Sequence, residues 1–341
     1  MSKVRIENIN KHFGDNHVLK DISLDVAEGE FVSILGPSGC GKTTLLKLIA
    51  GLEAQSGGSI FIGGVCCDNI PARKRGAVIV FQDYGLFPHM TVTGNIEFGL
   101  TARKENRALR AKKVAHMLDV MQIGDKASSY PHELSGGQKQ RVALARACVL
   151  EPSILLLDEP FSNLDAGLRD VMREFVLKLQ RELGITTILV THDKEEAFML
   201  SQRVAVMLEG RLQQFDTPQQ IYSRPLSVQV ADFIGEVNYV GGTVSNGVFS
   251  CFLGNFDASG KPDGDAYLML RYDHIEFDSS SGLPCRILDK KFRGRTTTYH
   301  VVTQQEPVTE LTLNSPEDTL LQNSPVFIKV SAGAGCILKK S

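Results

Sequence analysis

The glycine-rich segment at residues 36–44, with the sequence GPSGCGKTT, constrains the fold more than any other part of the chain. It follows the apolar run FVSIL and precedes the helical pattern LLKLIAGL, and this order of strand, loop and helix is the context in which GxxxxGK[ST] binds phosphate. Inward-facing N–H groups and the positive end of the helix dipole would hold the anion. The predicted nucleotide-contacting residues are Gly36, Pro37, Ser38, Gly39, Cys40, Gly41, Lys42, Thr43 and Thr44.

A second run, ILLLDE at residues 154–159, predicts the rest of a phosphate-transfer site. Four apolar residues before an acid indicate a central strand whose carboxyl end opens at a ligand-binding crevice. We expect Asp158 and Thr43 to hold Mg²⁺, while Lys42 gives its charge to the phosphates. Glu159, one residue beyond the metal ligand, is then placed to polarise a water for attack on a γ-phosphate.

Short apolar runs alternate with helical patterns over residues 1–235, which predicts an α/β domain with a buried, mostly parallel sheet. The pattern becomes mostly helical at about residues 91–150, which predicts a helical subdomain within that domain. Residues 166–183 predict one further helix ending at Gly184. Its expected core-facing side chains are Leu168, Val171, Met172, Phe175, Val176, Leu179 and Leu183.

The sequence pattern changes after about residue 235. Helical spacing gives way to short β-like segments separated by glycine, serine and proline turns, and residues 236–341 therefore predict a small all-β barrel domain.

Composition excludes few function classes. A net charge of −2 over 341 residues gives no reason to expect a nucleic-acid partner. No apolar run approaches the ~18 residues of a membrane helix, and MSKVRIENIN lacks the apolar region of a signal peptide, so we expect neither. The seven cysteines are scattered and predict reduced thiols; the adjacent Cys66 and Cys67 do not by themselves make a metal site.

The stretch HELSGGQKQR at residues 132–141 predicts a second glycine-rich turn that opens a helix. It has no lysine at the position where a complete phosphate loop would need one. The sequence therefore predicts half of an anion site, formed by Ser135, Gly136, Gly137 and Gln138.

LSGGQ at residues 134–138, together with Gln82, the SNLD loop at residues 162–165 and His192, resembles the nucleotide-binding subunits of ABC transporters. The order and spacing match that family through about residue 235. The resemblance implies a P-loop ATPase in which two copies meet head to tail, so that the half-site of one copy completes the ATP site of the other. A two-fold dimer would then contain two identical composite sites.

The resemblance also implies individual roles. Phe13 would stack on adenine, although a core aromatic is the competing interpretation. Gln82 would reach Mg²⁺ or the attacking water, and His192 would bind the γ-phosphate or orient Glu159. Asp165 would contact the opposing phosphate loop across the interface.

The stretches FQDYGLFPHMTVTGNIEFGL and LLLDEPFSNLDAGLR are similar to those of importer ATPases for maltose, polyamines, sulfate, phosphonate and ferric iron. RYDHIEF, with Tyr272 where that element usually has proline, resembles part of a TOBE domain. The family resemblance implies an ATP-hydrolysing subunit at the cytoplasmic face of the membrane, bound to two permease subunits and served indirectly by a solute-binding protein. Ferric iron, a polyamine, or an oxyanion such as sulfate or a phosphonate are the candidate solutes.

Two other interpretations stay open at this stage. A soluble ABC ATPase of translation or DNA repair is disfavoured because the chain has neither tandem domains nor a heptad run. A C-terminal metabolite or oxyanion sensor could use Arg271, Arg293 and Arg295, for which a surface position is the simpler explanation. The basic cluster at residues 103–113 is interpreted as a solvated helix face, with contact to a membrane partner or lipid head groups as the alternative.

Overall fold

The structure is a computed structural model that describes residues 4–331 and 333–340. It divides into two compact units, the first extending to Pro218 and the second beginning at Gln219. No helix in the described parts of either unit is long and apolar enough to cross a membrane.

A six-stranded sheet, with the strand order β10-β9-β3-β8-β7-β6, forms the centre of the first unit. The neighbouring strands are parallel except for the β9–β10 pair. Its strands are β3 (Phe31–Leu35), β6 (Ala77–Val80), β7 (Ile154–Asp158), β8 (Thr186–Thr191), β9 (Arg203–Leu208) and β10 (Arg211–Asp216).

A second, antiparallel sheet in this unit has the order β2-β1-β4-β5. Its strands are β1 (Val4–Phe13), β2 (Asn16–Val26), β4 (Gly57–Ile62) and β5 (Val65–Cys66). The helices of the unit are α1 (Lys42–Ala50), α2 (Val92–Ala102), α3 (Arg107–Val120), α4 (Gly136–Cys148), α5 (Ala166–Leu183) and α6 (Lys194–Leu200). Three of them, α2, α3 and α4, occupy the segment expected to be a helical subdomain.

The six-stranded sheet is covered on both faces, as its continuous apolar strands predict. Because successive side chains point to opposite faces, Leu155 and Leu157 of β7 join the core beneath α2 to α5. Leu156 joins the other core with α1 and the antiparallel sheet. This double burial confirms the predicted α/β fold class.

Helix α5 has the predicted bounds, and Gly184 ends it in the left-handed conformation, with φ of 60°. The expected apolar face is wrong at one position: Val171 is 53% exposed. Arg173 is instead almost fully buried on this helix, with an exposure of 1%. A search for apolar side chains cannot find it, because its burial depends on carboxylates from another element.

The second unit begins with α7 (Pro218–Ser223) and α8 (Val228–Ile234), followed by two five-stranded antiparallel sheets. The first, in the order β13-β12-β11-β14-β20, contains β11 (Val237–Ser245), β12 (Val248–Cys251), β13 (Gly254–Asp257), β14 (Gly264–Arg271) and β20 (Cys336–Lys339). The second, in the order β15-β19-β16-β17-β18, contains β15 (Ile275–Asp278), β16 (Leu283–Phe292), β17 (Thr297–Thr303), β18 (Glu310–Ser315) and β19 (Pro325–Val330). After its two helices the unit is all-β, as expected, and both sheets contribute to one apolar core.

The compact second unit starts before the boundary predicted at residue 235, and buried Arg271 of β14 explains the difference. Its guanidinium donates to the carbonyl of Tyr222 at 2.7 and 2.9 Å and to those of Ala231 and Gly235. These bonds attach α7, α8 and the turn after them to the strands. The exposure of Arg271 is 0%, so it is a structural group and not the surface ligand of a sensor site; Arg293 and Arg295 are exposed.

Candidate functional site

The predicted site residues converge because four adjacent parallel strands end at one edge of the sheet. The strands β3, β8, β7 and β6 are consecutive neighbours, and Leu35 is paired with Thr191 while Asp158 is paired with Val190. The phosphate loop follows β3, and His192 follows β8. Asp158 and Glu159 end β7, and Gln82 comes shortly after β6. This edge is where open α/β sheets bind ligands.

The phosphate loop has backbone geometry that requires glycine. Gly39 and Gly41 have φ of 81° and 100°. A Cβ on Gly36 would lie 2.3 Å from the Met207 carbonyl oxygen. The tip of the loop is exposed at Pro37, Ser38 and Gly39. The thiol of the next residue, Cys40, is buried, and this burial raises its pKa.

Lys42 is 5% exposed, and its ammonium donates to the carbonyl oxygens of Gly36 and Pro37 at 2.9 Å each. The cation therefore lies inside the loop, where an anion entering the cradle would meet it. Thr43 and Thr44 lie in the first turn of α1, which begins directly after Gly41.

Thr43 and Asp158 form the group best suited to a divalent cation. The Thr43 hydroxyl donates to Asp158 Oδ1 at 2.9 Å, although the two residues lie far apart in sequence. Burial raises the pKa of Asp158, while the Thr43 hydrogen bond and two lysines oppose that shift. A hydroxyl and a buried carboxylate are the hard oxygen ligands that Mg²⁺ prefers, so this pair fits the ion.

Glu159 and His192 are in contact at the same edge. His192 Nδ1 lies 3.1 Å from Glu159 Oε2, and the side chains are 54% and 20% exposed. The Glu159 backbone has φ of 45° and its N–H donates to Val190 at 2.9 Å. This conformation directs the chain away from β7 immediately after Asp158, so two adjacent carboxylates take different partners.

Gln82 and Asp165 lie on the loops beside this centre, and both are exposed. Gln82 lines a cavity of about 900 Å³ that also reaches Asp158. The Asp165 carboxylate accepts a hydrogen bond from the Leu168 N–H at 2.9 Å and so forms the N-cap of α5. Asn163, which belongs to the SNLD loop but was given no role of its own, donates to the Gln82 carbonyl oxygen at 2.9 Å and joins these two loops.

Arg146 of α4 is a second residue that sequence reasoning missed. It donates to the carbonyl oxygens of Tyr84 and Gly85 at 2.8 and 2.7 Å, which fixes the loop after Gln82. The available signal was a charged residue on the otherwise apolar second half of α4.

The half-site forms the start of α4. Ser135 and Gln138 make a capping box, with the Ser135 N–H donating to Gln138 Oε1 at 2.9 Å. Cβ atoms on Gly136 and Gly137 would lie 3.1 and 3.0 Å from the side chains of Leu164 and Leu168, so the turn packs closely against these leucines. Within residues 4–331 and 333–340, no hydrogen bond or ion pair joins this capping box to Lys42 or Thr43.

Phe13, at the end of β1, is 47% exposed, which does not fit a core aromatic. The Lys11 ammonium lies 4.5 Å from the centre of its ring. Elsewhere, residues 4–331 and 333–340 contain no cluster of three or more metal-ligating side chains, and Cys66 is exposed while Cys67 is buried.

Basic side chains of the cluster at residues 103–113 form ion pairs with nearby glutamates. Arg110 pairs with Glu97 at 2.8 Å, and Lys113 pairs with Glu105 at 3.3 Å. These contacts agree with a solvated helix face.

Comparison with known proteins identifies the family. The ABC transporter family model matches residues 19–162. The Fe(3+) ions import ATP-binding protein of Fusobacterium nucleatum is 39% identical over 337 residues, covering 96% of this chain and 91% of the relative. The sulfate/thiosulfate import ATP-binding protein of Escherichia coli is 45% identical over 304 residues, covering 86% of this chain and 83% of that relative.

Solved structures agree. An ATP-binding cassette, solved as a dimer in a post-hydrolysis state bound to ADP and Pi, matches with a TM-score of 0.57 and 31% identity over 63% of this chain and 98% of that one. The cbiO1 protein of Clostridium perfringens, part of the ABC transporter complex cbiONQ, matches with a TM-score of 0.60 and 33% identity. The match covers 64% of this chain and 89% of that one. The chain therefore belongs to the ABC transporter family, as an ATP-binding subunit with ATPase activity coupled to transport.

Proposed function

We propose that the chain is the ATPase of an importer, in which ATP closes a head-to-tail dimer and hydrolysis reopens it. The observation that carries the catalytic part of this proposal is the 3.1 Å contact between Glu159 and His192, adjacent to the Thr43–Asp158 pair. A carboxylate oriented by an imidazole next to a cation site can position a water and accept its proton for in-line attack on a phosphate.

Each side chain then has one task. Lys42 and the loop amides bind the β- and γ-phosphates of ATP. Thr43 and Asp158, with Gln82, would hold Mg²⁺, which neutralises phosphate charge when bound. Glu159 accepts a proton from the attacking water while the bond between the β–γ bridging oxygen and the γ-phosphorus breaks, and His192 keeps the carboxylate in position.

The second copy supplies what this chain lacks. Ser135, Gly136 and Gly137 begin a helix whose hydroxyl and amides suit an anion, yet they have no equivalent of the phosphate-loop lysine Lys42. We propose that they face the γ-phosphate bound by the partner copy, with Gln138 supporting the turn and Asp165 contacting the opposing loop. Phe13 would stack on the adenine in the same site. Release of phosphate removes the charge that holds the copies together.

Two membrane permease subunits are the proposed partners, at the cytoplasmic face of the membrane. The cavity beside Gln82 supports this: it is lined by Phe87 and Phe98, whose rings are 4.5 Å apart, and by Arg146. Because Phe98 is 43% exposed, an apolar partner surface can enter there.

A polyamine and a phosphonate are candidate solutes, but the relatives' names support ferric iron or sulfate/thiosulfate, which a separate solute-binding protein would deliver. They give no support to a soluble ATPase of translation or DNA repair. We propose that the C-terminal unit is the TOBE-like appendage of this importer.

Purification of a tagged Glu159→Gln chain from native membranes in Mg-ATP tests the proposal. We expect an ATP-bound dimer that co-purifies with multi-spanning subunits, because the amide cannot accept the proton but leaves the phosphate cradle intact. Glu182→Gln, which changes an exposed acid on α5, is the control and should hydrolyse ATP normally. A monomeric Glu159→Gln chain in saturating Mg-ATP would contradict the composite site, and recovery with ribosomes alone would contradict transport.

A further inference from the structure

Arg173 of α5 is one of two arginines, with Arg271, that are almost fully buried in the described residues, and its exposure is 1%. Its guanidinium binds four carboxylates. The N–O distances are 3.0 Å to Asp170, 3.0 Å to Asp193, 3.3 Å to Glu195 and 3.4 Å to Glu196. Burying a charge is costly unless it is paired, and these four carboxylates supply the pairing.

Three of the four carboxylates follow His192 directly in sequence. Asp193 has a double role: one oxygen accepts from the Glu195 and Glu196 N–H groups at 2.8 and 3.2 Å and caps α6, while the other binds Arg173. The segment that begins with Asp193 is therefore fixed both to its own helix and to α5.

The residue before His192 is fixed through the same cluster. The Thr191 hydroxyl donates to Glu196 Oε2 at 2.6 Å and accepts from the Asp193 N–H at 3.0 Å. Glu196, which is 4% exposed, thus connects Arg173 with Thr191. His192, whose own side chain is 54% exposed, is held from both sides by residues that Arg173 binds or reaches.

We propose that Arg173 is a positioning residue that sets the backbone at residues 191–193 and thereby keeps His192 Nδ1 against Glu159. The inference rests on the proposed catalytic roles of Glu159 and His192. Among the residues that the structure describes, no hydrogen bond or ion pair joins Arg173 to the phosphate loop or to Glu159. Its loss should therefore impair the chemical step and leave nucleotide binding intact, since displacements of about 1 Å can cost on the order of 100-fold in rate.

A single Arg173→Met change would leave Glu196 buried without its cation and could prevent folding. The main variant is therefore Arg173→Met with Glu196→Gln, because an amide oxygen at position 196 still accepts from Thr191. Arg173→Lys is the second variant: it keeps the charge but loses the planar fork that reaches several carboxylates at once.

Arg203→Met is the matched control. Arg203 forms an ion pair with Glu30 through two hydrogen bonds of 2.6 and 2.7 Å. Arg203 begins β9 and Glu30 immediately precedes β3. The pair therefore lies at the amino ends of these parallel strands, whereas the site lies at their carboxyl ends. His192→Ala calibrates how much activity depends on the imidazole.

We expect the double variant to lose about 10-fold in kcat with KM for ATP within about twofold of wild type, and Arg173→Lys to recover part of that loss. The Cε1–H resonance of His192 should move in the double variant and not in Arg203→Met. An unchanged kcat and an unmoved resonance in a folded double variant would overturn the inference. If His192→Ala retains full activity, the proposed role of His192 fails, and the resonance alone still decides whether Arg173 positions the ring.

Discussion

At the residue scale, the proposed metal-binding role of Asp158 conflicts with the stability of the fold. Its side chain is buried, with an exposure of 7%, and burial raises its pKa above the ordinary value for aspartate. The folded chain therefore binds this proton more tightly than the unfolded chain does. As the pH rises from the unfolded pKa through the folded pKa, the free energy of unfolding falls, and at neutral pH the buried charge is a net cost. A bound cation would offset that cost.

Asp158→Asn should accordingly raise the thermal midpoint of the nucleotide-free chain at pH 7, by about 2–4 °C if roughly 1 kcal/mol is recovered. The amide oxygen still accepts from the Thr43 hydroxyl, so the packing is kept. Mg²⁺-dependent ATP hydrolysis should be lost. Calorimetry with and without Mg-ATP checks both effects, and Asp125→Asn, at an exposed acid, is the control. A lower midpoint for Asp158→Asn would show that its charge stabilises the fold.

Phe13 offers a second test at this scale. One face of its ring is covered by the Lys11 ammonium, and nearly half of the residue is exposed for a base. Stacking of a base on an aromatic ring contributes about 1–3 kcal/mol, so Phe13→Ala should raise KM for ATP on the order of 10-fold while Phe13→Tyr changes it little. Phe61→Ala removes another ring beneath a cation, Arg5, and should leave KM unchanged. An equal rise in KM for Phe61→Ala would indicate a general effect on the antiparallel sheet.

At the element scale, local pattern predicted the strands and α5 but not their arrangement. The runs FVSIL and ILLLD predicted β3 and β7 because each is short, mostly apolar and followed by a turn or loop. In the sheet, β8 lies between β3 and β7. This order is determined by long-range packing, and the local sequence pattern does not predict it. For the same reason the 3.1 Å approach of His192 to Glu159 could be expected only by resemblance. The burial of Arg173 was missed because three of its four carboxylate partners come from residues 193–196, at the start of α6.

At the start of helix α4, Ser135 is the N-cap and also a proposed member of the half-site. Ser135→Ala removes an N-cap, which should cost about 1 kcal/mol of stability, and also removes the hydroxyl of the half-site. Asn106→Ala removes the N-cap of α3, where the Asn106 oxygen accepts from the Ala108 N–H at 2.9 Å. We expect similar losses of stability from the two changes, and a loss of ATP hydrolysis from Ser135→Ala alone. Equal hydrolysis by both variants, measured at saturating ATP, would assign Ser135 a structural role only.

At the scale of the whole molecule, the position of the unit boundary makes truncations informative. Ala231 of α8 packs against Met269 and Leu338, and Arg271 binds carbonyls on both sides of that helix. A chain ended after residue 235 keeps α7 and α8 but loses all these partners, whereas a chain ended after residue 218 loses the helices as well.

We therefore expect protease to remove residues 219–235 rapidly from the longer truncation and to leave a core that matches the shorter one. The physical reason is that α8 has seven residues and cannot persist without tertiary packing. Both truncated chains should bind ATP with the affinity of the full chain, because the phosphate loop, Asp158 and Phe13 belong to the first unit. Limited proteolysis with mass spectrometry, followed by nucleotide titration, measures both properties. Protection of residues 219–235 in the longer truncation would place the functional boundary at residue 235, and weakened ATP binding in the shorter chain alone would make α7 and α8 part of the ATPase unit.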